Sequence, residues 1–435
     1  MSPKLSGKRI VISTFGSFGD VHPYIAIALE LKRRGHRPVI ATSEIYREKT
    51  EAVGLELHPV PPDIPSYDRP DEVRRMIKGL VDARKGPERV FKEIILPNLR
   101  GQYDALAEAT RGADLLLTHV LSLAGPALVE KTGIRWASSV LAPISFFSVY
   151  DPPVPPQLPA LHKLFSLHPS VMRAFMVLAR RQLRSFAEPV YRMRAELGLG
   201  RGGHPLLEGQ HSPSLVLALF SSVLMAPQPD WPPGTHVTGF CFYDRRDRAG
   251  DPQGVDPALL KFLDEGEPPV VFTLGSSAVW AAEDFYHESI TAARSLGVRA
   301  LLLTGGVAGN LPAGPLPAGV AAFDYAPYGE VLPRARAVVH QGGVGTTGQT
   351  LRAGVPALVV PFSHDQFDNG ARVARLGAGR VLPRPMYNAA RAARELRPML
   401  EDESYAQSAA EVGRRVRAEG GTRTACDLLE RLLGG

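Results

Sequence analysis

Cysteine is nearly absent: Cys241 and Cys426 are the two thiols in 435 residues. Two thiols make neither a disulfide framework nor a cysteine-based zinc site, and they fit a reducing, cytoplasmic setting. Long apolar runs are missing too. No stretch approaches roughly 18 uninterrupted apolar residues, so no spanning helix is expected. Lys4, Lys8 and Arg9 lead straight into the short run Ile10–Val11–Ile12, unlike a signal peptide. Lysine is scarce: 10 of the 50 basic residues are lysine and 40 are arginine. No recognised binding module accompanies these arginines, which argues against a nucleic-acid partner.

What is present reads as globular. Hydrophobic residues make up 44% and charged residues 22%, which excludes a disordered or collagenous chain. The net charge of +6 is uneven. Residues 1–240 carry 29 basic and 22 acidic groups, whereas residues 241–435 carry 21 and 22.

The first half alternates strand and helix signals. Arg9–Thr14, Arg37–Thr42 and Leu55–Val60 read as strands, separated by a helix opening at Pro23 and a second ending near Gly54. Asp114–Thr118 and Arg135–Val140 continue the series, and 215–219 and 236–239 close it. Tyr150–Pro159 holds five prolines and predicts a stiff loop, and 161–197 reads as helical with a break before Pro189. Asp244–Pro257 is polar and predicts a linker. A second strand–helix series follows, with strands at 270–274, 299–303, 320–323, 337–340 and 357–360. Helices then cover about 367–376, 387–399, 403–418 and 422–433. The expected fold class is α/β: two doubly wound parallel-sheet domains facing a central cleft, residues 1–243 and 258–418. Residues 419–435 form a helix expected to return to the first domain.

His340-Gln-Gly-Gly-Val-Gly-Thr-Thr347 lies at a strand-to-helix switch. Glycines there let backbone N–H groups approach a ligand, and the new helix points its positive end at it. This predicts an anion site, most naturally for a diphosphate. Gly343-x-Gly345-x-x-Gly348 also matches the dinucleotide fingerprint, with Asp365 about 20 residues on. That fingerprint belongs in a first strand–helix unit, and this one sits late in the chain. Downstream, Asp365 and Gln366 follow a strand and Pro361. A carboxylate beside an amide suits adjacent sugar hydroxyls.

Tyr325-Ala-Pro327, Gln341-Gly-Gly-x-Gly-Thr346, Gly354-Val-Pro356 and Asp365-Gln366 resemble the donor-binding signature of family 1 glycosyltransferases with the GT-B fold. Gly16-Ser-Phe-Gly19-Asp20-Val-x-Pro23 resembles the acceptor-side turn of that family. The similarity is to the bacterial branch holding rhamnolipid rhamnosyltransferases, sterol glucosyltransferases and macrolide or glycopeptide glycosyltransferases.

The resemblance implies that Tyr325 stacks near the nucleobase and that Gly343, Gly345 and Thr346 cradle the diphosphate. It also implies that Ser276 and Ser277 contact phosphate, Gln349 holds the ribose, and Asp365 and Gln366 bind the sugar. Relatives usually carry His at the position of Gln341; here the histidine falls one residue earlier, as His340. Gln341 donates a neutral hydrogen bond only. Either His340 reaches round, or backbone amides and the helix end carry the leaving group. The donor half is nearly neutral, so diphosphate binding is expected to rest on those amides and not on the arginine excess.

The implied reaction inverts an anomeric carbon. The hydroxyl of a lipophilic or aromatic small molecule displaces a nucleoside diphosphate from a UDP- or dTDP-hexose, glucose or rhamnose. No Asp-x-Asp pair is present, so neither metal nor cofactor is expected. A general base is needed. Asp20 is one candidate, its competing role being an N-cap on the helix near Pro23. His22 and His119 are the others, and Asp20 with His119 suggests a transposed acid–histidine dyad. The acceptor pocket is expected from Phe146, Phe147, Tyr150, Phe175 and Met176. Seven arginines against two glutamates in 171–201 read as a solvated face or a peripheral contact with anionic lipid. Competing readings are a nucleotide-sugar epimerase and a non-catalytic nucleotide-sugar-binding partner of a second enzyme.

Overall fold

A computed structural model describes residues 7–65, 69–244 and 255–434. Most of the expected linker, 245–254, lies outside the described residues, as do residues 1–6 with Lys4.

The first half forms a sheet of seven parallel strands: β1 (Arg9–Ser13), β2 (Arg37–Thr42), β3 (Glu56–Pro59), β4 (Leu115–His119), β5 (Arg135–Val140), β6 (Val216–Ala218) and β7 (Thr235–Val237). Their order is β3-β2-β1-β4-β5-β6-β7. The second half forms six parallel strands: β8 (Val270–Thr273), β9 (Ala300–Leu303), β10 (Val320–Phe323), β11 (Ala337–His340), β12 (Ala357–Val359) and β13 (Gly379–Val381). Their order is β10-β9-β8-β11-β12-β13. Ile10–Val11–Ile12 and Leu115–Leu116–Leu117 are wholly buried, because parallel strands are covered on both faces and therefore read as unbroken apolar runs. The strand order reverses between β1 and β4 and again between β8 and β11. Crevices outside the strand ends at such switch points are where ligands bind in this architecture.

Three local expectations are corrected. The helix after β1 opens at Phe18, not Pro23, because Ser17 caps it; Pro23 lies inside Phe18–Arg33. The helical segment 169–196 breaks at Leu183, not before Pro189, which sits within Arg184–Glu196. Helices over Pro70–Leu80 and Leu99–Ala109, and strand β13, were not anticipated. The first of these reaches the second domain, where the Arg74 guanidinium donates to the Ala308 carbonyl (2.8 Å). At and just past its end, the carbonyls of Leu80 and Asp82 accept from His364 Nε2 (2.8 Å) and Ser363 Oγ (2.9 Å).

Two further ties hold the halves together. Helix Gly421–Gly434 packs on helix Phe18–Arg33, placing Ala425, Cys426, Leu429 and Leu433 in one cluster with Ile25, Ile27 and Leu31. Arg34 anchors it through Asp427 (2.6 Å) and Glu430 (2.8 Å).

The second tie is a buried ion network. Arg372, with its side chain 1% exposed, donates Nε to Asp368 Oδ2 (2.8 Å) and Nη1 to Asp151 Oδ2 (2.6 Å). Asp368 Oδ1 accepts from Val154 N (3.1 Å), and Arg375 donates to the other oxygen of Asp151 (2.9 Å). The proline loop of the first domain is thus fastened to helix Gln366–Arg375 of the second.

Replacing Arg372 with Met leaves the buried Asp368 carboxylate without its cation and is expected to cost about 3–5 kcal/mol in urea denaturation. Arg375→Met, on a side chain 51% exposed, is expected to cost under about 1 kcal/mol. Leu429→Ala is expected to cost about 2–5 kcal/mol in the same assay.

Candidate active site

The turns after β1 and β11 meet across the cleft. A Cβ built on Gly345 would lie 3.6 Å from Gly19 Cα, so the two backbones are in contact. Helices Phe18–Arg33 and Val344–Ala353 both start here, and their electropositive ends converge.

On the first-domain side, Asp20 is the third residue of its helix and closes a capping box with Ser17. Its Oδ2 accepts from Ser17 N (2.7 Å) and Ser17 Oγ (3.1 Å). Gly16 (φ +133°) makes this possible, since a side chain there would run into the Asp20 carboxylate. The expected alternative of Asp20 as the N-cap is corrected, since Ser17 holds that position. Burial raises Asp20 to about 6, outweighing the acidifying bonds from Ser17.

The two histidines lie elsewhere. His119 ends β4 and is buried; its Nδ1 accepts from Leu121 N (3.4 Å), and burial lowers it to about 4. The hydrogen bonds of Asp20 and His119 run to Ser17 and Leu121, so the expected dyad is not joined. His22 packs between the Phe18 ring (5.4 Å) and the Tyr243 ring (5.2 Å). Burial and the Lys49 charge lower it to about 3. It points toward the aromatic cluster under the helix.

On the second-domain side, Asp365 Oδ2 accepts from Val344 N (3.2 Å), the first residue of the helix after β11, and from Asn369 Nδ2 (2.7 Å). Burial, reinforced by the Asp20 charge, raises Asp365 to about 7. Gln366 Oε1 accepts from Phe362 N (2.7 Å) and Ser363 N (3.1 Å), which fixes its amide and turns the NH₂ away from those bonds. Asn369 also donates to the Gly342 carbonyl (2.9 Å), tying the glycine turn to the Asp–Gln pair. Sequence reasoning assigned no role to Asn369, Asp368 or Arg372; the signal was the i,i+4 spacing of Asp365–Asn369 and Asp368–Arg372.

Gln341 is the first residue beyond β11, and its amide fills the space between Gly275 and Gly343. A Cβ on Gly343 would lie 2.9 Å from Gln341 Nε2, and one on Gly275 (φ +63°) would collide with the same nitrogen. Gln341 Oε1 is buried with no hydrogen-bond partner. His340, one residue earlier, belongs to the strand and is wholly buried. Its Nδ1 accepts from Gly342 N (3.0 Å), and burial lowers it to about 3. It braces the glycine turn from within the sheet and, being wholly buried, does not open onto the cleft.

Ser276 and Ser277 are half-buried in a single helical turn after β8. The Thr273 hydroxyl bonds the Tyr328 phenol (2.9 Å), and Thr346 is buried beside this turn. Tyr325 is exposed in the loop after β10. Gln349 Nε2 donates to Asp244 Oδ1 (2.5 Å), beside Arg352 on Asp244 Oδ2 (2.7 Å).

The expected acceptor residues divide. Phe146 is core, stacked on Trp231 at 4.2 Å, and is corrected from a pocket wall. Phe147 is half-buried with φ +47°, and Tyr150 is exposed. Phe175 and Met176 lie on helix Pro169–Gln182, where Phe175 packs on Phe165 (4.7 Å). Among the described residues no group of three His, Cys, Asp or Glu side chains gathers to hold a metal ion, and no helix is long and apolar enough to cross a membrane.

Residues 10–103 match the glycosyltransferase family 28 N-terminal domain, and residues 309–426 match the erythromycin biosynthesis protein CIII-like C-terminal domain. The chain is 32% identical to O-mycaminosyltylonolide 6-deoxyallosyltransferase of Streptomyces fradiae, covering 97% of each. It is 28% identical to a sterol 3-beta-glucosyltransferase of Neosartorya fischeri, of whose much longer chain it spans 29%. Among solved structures, the glycotransferase of kitacinnamycin superposes with TM-score 0.72 at 23% identity, over 98% of this chain and 99% of the other. The glycosyltransferase VinC in complex with dTDP superposes with TM-score 0.66 at 18% identity, over 98% and 100%. These two likenesses support the two-domain GT-B fold. The match running through nearly the whole of the Streptomyces fradiae transferase, with two parallel-sheet domains meeting at paired helix ends, makes this chain a member of the family 1 glycosyltransferases.

Proposed function

We propose that the protein transfers a hexose from a nucleoside diphosphate sugar to a hydroxyl of a lipophilic small molecule, with inversion and without a metal. One observation carries this reading: Asp20, held near pKa 6, stands at the turn that touches the glycine turn beginning the Val344 helix. Both bonds to Asp20 fall on Oδ2, which leaves Oδ1 to take the acceptor's proton. As that proton leaves, the hydroxyl oxygen attacks the anomeric carbon and the bond to the diphosphate breaks. The departing charge meets the N–H groups of Gly345 and Thr346 and the Gln341 amide. Asp365 and the Gln366 NH₂ would take the sugar hydroxyls. Burial makes His119 and His340 weak bases and each spends its Nδ1 on a backbone N–H, which supports positioning over proton transfer.

The relative that transfers a 6-deoxyallosyl group and the VinC complex with dTDP favour a dTDP-6-deoxyhexose over UDP-glucose as donor. The macrolide and sterol relatives favour a large, greasy acceptor.

The test is product formation, followed by mass spectrometry, from dTDP-rhamnose or UDP-glucose with macrolide aglycones, sterols and flavonoids. A glycosylated product with one of these pairs is expected. Donor binding with neither product nor donor hydrolysis would instead support the non-catalytic partner reading. Asp20→Asn is expected to lower kcat about 10²–10⁴-fold while donor KM changes little. In the wild type a base must be ionised to act, so kcat/KM should fall as pH drops through about 6. A profile flat down to pH 5 would assign the base elsewhere.

A further inference from the structure

From Pro152 to Ala187 the chain has no Asp or Glu in 36 residues, yet it carries Lys163, Arg173, Arg180, Arg181 and Arg184. The structure folds most of this stretch into helices Leu161–Phe165 and Pro169–Gln182 and the start of Arg184–Glu196. Of the ten large apolar side chains exposed among the described residues, five lie here: Leu158, Leu164, Leu167, Val177 and Leu178. Leu167 is 74% exposed and Val177 67%. Ala174, Val177, Leu178 and Arg181 follow the i, i+3, i+4, i+7 rule and share one exposed helix face. The inward side is satisfied by Met172, which is buried, and by the Phe165–Phe175 contact. The exposed residues are therefore not the outer edge of an unfilled core.

The cations around this face are only partly neutralised. Arg173 donates to the Tyr150 hydroxyl (3.0 Å) and lies over its ring, and Arg180 pairs with Glu208. Lys163, Arg181 and Arg184 are exposed and have no anionic partner among the described residues.

We propose that this acid-free helical hairpin docks on a bilayer surface carrying anionic lipid. Exposed leucine and valine side chains enter the boundary between headgroups and acyl chains. The arginines meet lipid phosphates, for which the guanidinium fork is well suited. Charge decides against a second copy as occupant: an isologous contact would press one +5 segment, itself without a carboxylate, against another. The hairpin also adjoins the cleft. Arg173 holds Tyr150, and the next residue, Asp151, is fastened to Arg372 on helix Gln366–Arg375. Docking would therefore present the cleft mouth to the lipid phase, where a greasy acceptor concentrates. The inference rests on this surface alone and survives or fails independently of the sugar-transfer reading.

The test is co-sedimentation of the full chain with phosphatidylcholine vesicles, with and without phosphatidylglycerol. Binding is expected only with phosphatidylglycerol and should fall as salt rises. Val177→Asp with Leu178→Asp, and separately Arg181→Glu with Arg184→Glu, should each weaken it on the order of tenfold or more. All four positions are exposed, and an unchanged melting temperature would confirm that the variants fold. Binding that ignores phosphatidylglycerol or both variants, or no binding at all, would overturn the proposal. So would a dimer in light scattering that Val177→Asp abolishes, since the face would then belong to a second copy.

Discussion

Arg372 carries a charge that it cannot shed, in a place that water barely reaches. Its guanidinium is tolerable there only because Asp368 and Asp151 come with it, one from its own helix and one from the other domain. Opening the cleft along this line would leave a cation and carboxylates in a dry seam. The network therefore sets the register between the loop at Asp151–Val154 and the helix that begins with Gln366. The residues proposed to hold the sugar and the loop expected near the acceptor move as one piece.

At the other side of the cleft the forces are balanced more finely. Two helix ends, both electropositive, face each other at Gly19 and Gly345, and each has a carboxylate at hand. Asp20 closes its own helix, while Asp365 reaches across to the start of another. Burial raises the proton affinity of both carboxylates, and at Asp365 the Asp20 charge adds to the effect. Two carboxylates with pKa values near neutrality are a costly arrangement for stability alone, which is how sites that move protons commonly stand out.

Much of this was legible in the sequence. The apolar runs at Ile10–Ile12 and 337–340, each ended by glycine, announced parallel strands, and Asp365-Gln366 announced a polar pair at a strand end. Other features were hidden for definable reasons. Pro23 drew the helix start away from Ser17, although proline tolerates the early turns of a helix. His340 and Gln341 differ by one residue, yet one side chain enters the sheet and the other meets the turn, a distinction that only the strand's last hydrogen bond decides. Phe146 looked like a pocket wall because its aromatic neighbours were visible, whereas its partner Trp231 stands far along the chain. The Arg372–Asp151 contact spans 221 positions, beyond any local pattern.

Helix Gly421–Gly434 supplies Ala425, Leu429 and Leu433 to the core beneath β1, and Cys426 reaches the Ile27 carbonyl. During synthesis the first domain therefore emerges with an unfinished apolar face. That face stays open while the whole second domain is translated. Domain order on the ribosome and completion order in folding are reversed here: the part made first is sealed last. An interval of exposed core, one domain long, is built into every molecule that the cell makes.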